Sequence, residues 1–463
     1  MPDQLTGGTS RPRVFRDPIH GDILLSRGPF QELLESVIDT EMFQRLRGIR
    51  QTAVMNLVFQ GAEHSRFTHS MGAAHIAGQM LDWAARNSGL EVSAAEREDT
   101  VLAALLHDVG HGPFSHSLEE IIGPSFVHER VSVRILTAPE SEIHQLLAAR
   151  DPERPRRLAA FIDPSAGSRR WYHAIVSSQL DADRLDYLVR DAAMAGIRTH
   201  QLDLGRLIRS LAVVEQQLVV DARAHDLVEA FLLALDQMYG TAYYHKTVRA
   251  ASLLLEATVR RAFQLAATVE GGSMRDRLFP PRGRRPDPFY LLLTHGDAVP
   301  LEDYVHLDEA HVAWLLGLWR DAPDATLAAL CTAYKSRRFP KMVRLPVETA
   351  ALSQADWEDA AKVAAAIFRR RFPDRDPAYG VFFDQPERLS YKRYAAVAAT
   401  AAAGPGAGAG AEPIRLTAPG GGARPIEADP RSIANNLSTR QYFPRLFVSE
   451  EIREEVEQAL SRR

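Results

Sequence analysis

Apolar residues recur at helical spacing through most of the first half of the chain. Phe30, Leu33, Leu34, Val37 and Ile38 mark one such face, and Met71, Ala74, Ala77, Gly78 and Leu81 mark another. The run Thr100 to His107 is apolar on nearly every side, which predicts a buried helix. Helical spacing holds from about Phe30 to Ser210 and resumes from Asp226 to about Glu270. Two extended pieces, Val14-Phe15 and Ile23-Leu24-Leu25, flank the turn formers Asp17-Pro18 and Gly21-Asp22. Residues 211–220, Leu-Ala-Val-Val-Glu-Gln-Gln-Leu-Val-Val, read as a second hairpin. Breakers crowd 271–288, and helical spacing returns over 301–335. The part from about 355 is less regular, and Ser449 to Arg463 reads as a charged amphipathic helix. The glycine-rich stretch 404–425 reads as a flexible loop. The expected fold class is mainly α, with a helical core, short β-hairpins and a mixed α+β C-terminal region. The expected organisation is a tail (1–13), a core (14–265), a helical extension (266–350) and the α+β region (351–463), without internal repeats.

Composition narrows the function. The chain has 463 residues, 46% apolar and 25% charged, enough for a large core and unlike a disordered or fibrous chain. A net charge of −4 supplies no broad field for nucleic acid or acidic lipid, although 275–285 and 334–344 are locally basic. The single cysteine, Cys331, excludes a disulfide framework and a cysteine-based zinc site, and fits a reducing compartment. Residues 1–11 show no targeting pattern. The uncharged run Tyr394 to Ala411 is too rich in Ala and Gly to span a membrane, so a cytoplasmic protein is expected.

One string dominates the chemistry: His107-Asp108-Val109-Gly110-His111-Gly112-Pro113-Phe114-Ser115-His116. A polar cluster directly behind a buried helix is costly to desolvate unless it binds something. Imidazole plus carboxylate suits one divalent transition metal, Mn, Fe, Co, Ni or Zn. Two ligands are too few. His69, at the start of a helical pattern, and Asp183 are the candidates to complete the set. Asp183, Tyr187 and Asp191 are spaced by four and share a helix face, as in a pocket wall. His20, His75, His144, His173, His200, His225 and His295 are expected to be ordinary core or surface residues.

The set His69, His107-Asp108 and Asp183 resembles the H…HD…D signature of the HD-domain metal phosphohydrolases. Longer strings are similar to one branch, the deoxynucleoside triphosphate triphosphohydrolases. They are Asp17-Pro18-Ile19-His20-Gly21, Phe43-Gln44-Arg45-Leu46-Arg47, His64 to Gly72, His107 to His116, Asp183 to Asp191 and Tyr244-His245-Lys246. The likeness is strong over residues 13–265. Only a short tail precedes that stretch, so no sterile-alpha-motif domain, as in the human member, is expected.

The resemblance implies an HD-domain core, a metal on His69, His107, Asp108 and Asp183, and cleavage of a dNTP into deoxynucleoside and inorganic triphosphate. By the same resemblance His116 is the general acid and Glu119 its orienting carboxylate, while His111 and His128 line the α-phosphate. Arg66 and Arg184 neutralise the phosphates; the family usually has Lys at 184, and Arg alters reach and donor geometry. Tyr187, Asp191 and Gln51 hold the sugar 3′-OH, and Tyr243 packs against the sugar. Arg13, Asp39, Gln44, Arg47, Arg337 and Lys341 resemble residues that bind a regulatory nucleotide, with Mg, in a homo-oligomer (dimer or tetramer). One departure stands out. Leu235 and Gly240 occupy positions where relatives carry an Arg and a frequently larger basic residue. Losing a charge-assisted phosphate contact weakens triphosphate binding. Two other readings therefore stay open: an HD-type phosphatase or phosphodiesterase acting on nucleoside monophosphates or other phosphoesters, and a non-catalytic nucleotide sensor.

Overall fold

The first long apolar stripe becomes a helix because both ends carry stop signals. In the computed structural model Ser65 caps Arg66–Ser88 by accepting a hydrogen bond from the Thr68 N–H, and Gly89 ends it at φ 60°. The model describes residues 13–24, 29–163, 169–198, 202–268, 273–345, 352–393 and 412–462. A reciprocal Ser93–Glu96 capping box starts the next helix, Ala94–Leu106. Asp181 caps Ala182–Ala195, and Gly196 closes it at φ 68°. The 66–88 helix packs against both of the others. Met80, Leu81, Leu102, Leu105, Leu106 and Leu185 are fully buried at the seams. Each such side chain contributes roughly 1.5–3 kcal/mol. The fold is mainly α, as expected, with small sheets and a mixed C-terminal region.

The first hairpin pairs β1 (Phe15–Asp17) with β2 (Gly21–Ile23), in register Phe15↔Ile23 and Asp17↔Gly21. The strands sit closer to the turn than the sequence suggests. The Asp17 carboxylate accepts the N–H groups of Ile19 and His20 (2.8 and 2.9 Å) and tightens the corner. The second hairpin is β3 (Leu211–Val214) with β4 (Gln217–Val220), turned at Glu215 and Gln216, both at positive φ.

The C-terminal region departs from expectation in two places. An 18-residue helix, Gln354–Arg371, occupies the stretch read as less regular, and it starts from a Ser353–Asp356 capping box. The flexible loop expected at 404–425 is corrected over its second half, while 404–411, with the rest of the run 394–411, lies outside the described residues. Arg415–Thr417 and Ala423–Pro425 form a hairpin, turned at Gly420 and Gly421 with φ of 92° and 97°. Glycine alone adopts those angles at little cost, and buried Leu416 anchors the hairpin against β4 through a parallel bridge, Val220↔Leu416. The four-stranded sheet therefore joins residue ranges expected in different regions. Buried Gln179 fastens the same region: its amide N–H groups donate to the carbonyls of Lys392 (2.8 Å) and Glu412 (3.0 Å), and its oxygen accepts the Lys392 N–H (2.7 Å). The tail residues 1–12 and His200 also lie outside the described residues. Among the described residues no helix is long and apolar enough to cross a membrane.

Candidate metal centre and active-site cleft

The four expected ligands come from three separate stretches and meet. His69 lies one turn into the 66–88 helix, His107 and Asp108 follow the end of the 94–106 helix, and Asp183 opens the 182–195 helix. His69 Nε2 is 3.0 Å from Asp183 Oδ1 and 3.6 Å from Asp108 Oδ2. His107 Nε2 is 3.3 Å from Asp108 Oδ1 and 3.5 Å from Asp183 Oδ1. One ligand atom each from His69, His107 and Asp183 falls within 4.8 Å of the others. Each imidazole is tied by Nδ1, His69 to Asp186 Oδ2 (2.9 Å) and His107 to the Ala104 carbonyl (2.8 Å). Each leaves a buried Nε2 without a hydrogen bond among the described residues. Outward Nδ1 tethers and inward orphaned Nε2 atoms are how imidazoles present themselves to a metal. Burial opposes protonation of His69, but the facing carboxylates of Asp183 and Asp186 outweigh it and push the pKa up to about 10. That excess of negative charge is what a divalent cation would neutralise. The donor set of two imidazoles and two carboxylates fits a first-row transition ion.

The residue that orients His69 escaped the sequence reading. Asp186 is fully buried and makes three further contacts with two partners, one to His20 (2.6 Å) and two from the fork of Arg190 (2.8 and 2.9 Å). Arg190 in turn reaches Asp17 (2.8 Å). His20, expected to be an ordinary core or surface residue, is a largely buried imidazole in contact with the carboxylate behind a candidate metal ligand. Asp186 and Arg190 are spaced by four on one helix, a signal available in the sequence but overshadowed by the Asp183–Tyr187–Asp191 face.

Beside the metal centre stands a second imidazole group. His111 and His128 lie with centroids 3.6 Å apart and planes tilted by 32°, and His116 lies 5.4 and 5.5 Å from them. Glu119 spans two of the three, reaching His116 Nδ1 at 3.0 Å and His128 Nδ1 at 2.5 Å. Burial disfavours its charged form, but these hydrogen bonds prevail and hold its pKa well below the usual carboxylate range. The glycines between His107 and His116 have a steric reason. A Cβ at Gly110 would come within 2.3 Å of the His128 carbonyl oxygen and the Ser132 nitrogen. Phe114 and Ser115 sit at positive φ, 60° and 51°, which stores strain beside exposed His116.

A cleft of about 510 Å³ opens over both groups. Its wall includes Gln51, Arg66, Asp108, His111, His116, His128, Asp183, Arg184, Tyr187, Asp191 and Tyr243. Arg66 also braces a metal-ligand candidate: Nη1 donates to Asp108, and Nε donates to Ser115 Oγ at 2.9 Å. Asp191 is held between His64 Nε2 and the Tyr243 hydroxyl, each at 2.7 Å. Gln51 Oε1 is buried without a partner among the described residues. Arg184 is half-buried at the cleft wall, 3.7 Å from Asp181. Arg249, which the sequence reading did not single out, also lines the cleft and donates to Asp384 at 2.7 Å. Leu235 is buried in the core, and the neighbouring Asp236 is engaged by Arg388 and by Ser390 (2.8 Å).

Four of the residues expected for a regulatory nucleotide, Arg13, Asp39, Gln44 and Arg47, are neighbours, and the charges of Arg13 and Asp39 act on Arg47. Arg13 pairs with Asp39 (2.7 Å), and Arg47 donates to Gln44 (2.7 Å). Arg337 donates to the Leu57 carbonyl (2.6 Å), and Lys341 lies 3.7 Å from Glu450. None of the six lines the cleft.

The four ligand candidates fall inside a stretch that matches a known domain. A model of the HD domain matches residues 66–191, and one of the HD-associated region matches residues 202–276. The uncharacterized protein YwfO of Bacillus subtilis is 32% identical over 388 residues, 84% of this chain and 83% of its own length. A deoxynucleoside triphosphate triphosphohydrolase SAMHD1 homologue of Dictyostelium discoideum is 29% identical over 270 residues. That alignment covers 54% of this chain and 50% of the homologue, so the chain spans about half of that relative's length. A phosphohydrolase crystal structure from Bacteroides thetaiotaomicron superposes with a TM-score of 0.74 and 24% identity. It covers 95% of this chain and 99% of that one, which establishes the shared fold.

Proposed function

Since the chain belongs to the HD-domain family, with an HD-associated region behind the domain, we propose that it is a metal-dependent phosphohydrolase that cleaves deoxynucleoside triphosphates to deoxynucleoside and inorganic triphosphate. The observation that carries this reading is the placement of two inward Nε2 atoms and two carboxylates beside a Glu119-tethered histidine group in one cleft.

His69, His107, Asp108 and Asp183 would hold the ion. When bound, it would supply Lewis-acid polarisation of a phosphoryl oxygen. The chain's own residues do the rest. Water adds to the α-phosphorus, the bond from phosphorus to the 5′-oxygen breaks, and the departing oxygen needs a proton. His116, with Nδ1 held by Glu119, presents Nε2 as the donor. Arg66 and Arg184 place positive charge on the cleft wall, where phosphate oxygens gather charge. Asp191 and Gln51 offer acceptors to a sugar hydroxyl, and Tyr243, fixed on Asp191, borders that end.

The burial of Leu235 favours a second reading, hydrolysis of nucleoside monophosphates, which asks for no grip on a terminal phosphate. Chromatography of the products from dGTP and dGMP, over a series of added Mn, Fe, Co, Ni and Zn, separates the two. Inorganic triphosphate from dGTP supports the first. Orthophosphate from dGMP without cleavage of dGTP replaces it with the second.

A further inference from the structure

The string Asp17 to Gly21 has no part in the chemistry above, yet the hairpin it turns is tied to the metal centre by an unbroken chain of buried contacts. Asp17 spends one carboxylate oxygen on its own turn, accepting Ile19 N–H and His20 N–H, and the other on Arg190 Nη1 (2.8 Å). Arg190 grips Asp186 with Nε on Oδ2 (2.8 Å) and Nη2 on Oδ1 (2.9 Å). His20 Nε2 meets Asp186 Oδ1 at 2.6 Å. Asp186 Oδ2 meets His69 Nδ1 at 2.9 Å. The side chains of Asp186, Arg190 and His69 are fully buried. The facing helix makes room for them. A Cβ at Gly72 would fall 1.9 Å from Asp186 Oδ1 and 2.5 Å from Arg190 Nη2.

We propose that Asp186 is the positioning carboxylate of the metal ligand His69, and that the β1–β2 hairpin, through His20 and the Asp17–Arg190 pair, sets where that carboxylate sits. The proposal rests on the reading of His69 as a ligand. Asp186 holds the imidazole with Nδ1 outward and Nε2 inward, and its two oxygens are shared among three partners. Releasing one partner loosens the hold on the carboxylate and, through Asp186 Oδ2, on the imidazole. A hairpin remote in sequence from the His107-Asp108 string thus becomes a determinant of metal affinity.

The test measures Mn and Co dissociation constants by chelator competition on the full chain, together with the Co absorption spectrum. The variants are His20→Ala, His20→Gln and Asp186→Asn. His20→Ala and Asp186→Asn are expected to weaken binding about 10–100-fold and to shift the Co bands. His20→Gln retains a donor near the same place and is expected to recover most of the affinity. A merely structural hairpin would lower the melting temperature of the metal-free chain and leave the constants unchanged, which overturns the proposal. Should Asp186→Asn fail to fold, His20→Ala decides alone, since its hairpin lies at the edge of the core. A wild-type chain that binds no ion stoichiometrically sinks the metal-centre reading and this inference with it. Wild-type binding with unaltered variants sinks this inference only.

Discussion

His111 lies over His128 with ring centroids 3.6 Å apart and planes tilted by 32°; its Nδ1 is 3.2 Å from Asp108 Oδ1, and its buried Nε2 finds no hydrogen bond among the described residues. Burial, then the charge of Arg66 and the neighbouring His128, hold its pKa well below the usual imidazole range. An unpaired buried polar group costs about 1–3 kcal/mol, whereas an apolar ring of similar shape avoids that cost. His111→Phe is therefore expected to keep or raise the melting temperature while abolishing phosphohydrolase turnover. The pH dependence has a definite sign. Below about pH 6.5 the unfolded chain binds a proton at this position that the native chain refuses, so wild-type stability falls with acid. His111→Phe is expected to flatten that slope, read from melting temperatures between pH 5 and 7.

Metal loading should register as stability. An ion that binds only the native chain adds about 2.7 kcal/mol at 100 times its Kd. Scanning calorimetry is expected to show a higher melting temperature with Mn or Fe and a return to the lower value with chelator. Asp183→Asn is expected to show no metal-dependent shift. A full shift in that variant would remove Asp183 from the ligand set.

Glu119 tests the proton donor separately from the metal. It touches His116 and His128 and none of the four ligand candidates. Glu119→Gln is expected to keep stoichiometric metal and to lose on the order of 10²–10⁴ in kcat, the span of general acid catalysis. The check is metal analysis beside steady-state kinetics on dGTP.

Glu256, on the helix Lys246–Thr268 behind the cleft, is a stability handle. Burial, then the adjacent Glu120, push its carboxyl up to about 8. Between an unfolded value near 4.5 and that folded value the native chain holds a proton that the unfolded chain has released, so stability declines as pH rises through this window. Glu256→Gln keeps a donor toward Glu120 without the ionisation. It is expected to raise the melting temperature at pH 8 by several degrees, at about 2–4 °C per kcal/mol, and to change it little at pH 4.5. Differential scanning fluorimetry at both pH values reads the difference.

Much of the candidate site was legible because its residues are anomalous where they stand. A His-Asp-x-Gly-His string after a buried helix has few structural uses, and His69 and Asp183 do lie beside it. Asp186 and Arg190 were harder to see, since a carboxylate and a guanidinium spaced by four also describe a solvent-facing ion pair. Their full burial and the packing of Gly72 against them show that this face is interior. His20 was opaque for a similar reason, its partner being 166 residues away. The hairpin at 211–220 was plain from its alternation, but the strands that extend it come from a glycine-rich stretch whose composition suggests only a connection. Glycines at 420 and 421 make a tight turn as readily as a loose one, and the choice is made by Leu416 finding a core position.

Gln179 carries a last consequence. One amide side chain holds the carbonyls of Lys392 and Glu412 at once, so two points twenty residues apart along the polypeptide are spatial neighbours. The distance to be bridged between them is short whatever number of residues does the bridging. Closure entropy changes slowly with length, so the number of residues between those two points adds little to the cost of holding them together. Losing the Gln179 amide would instead release both carbonyls and the Lys392 N–H at once.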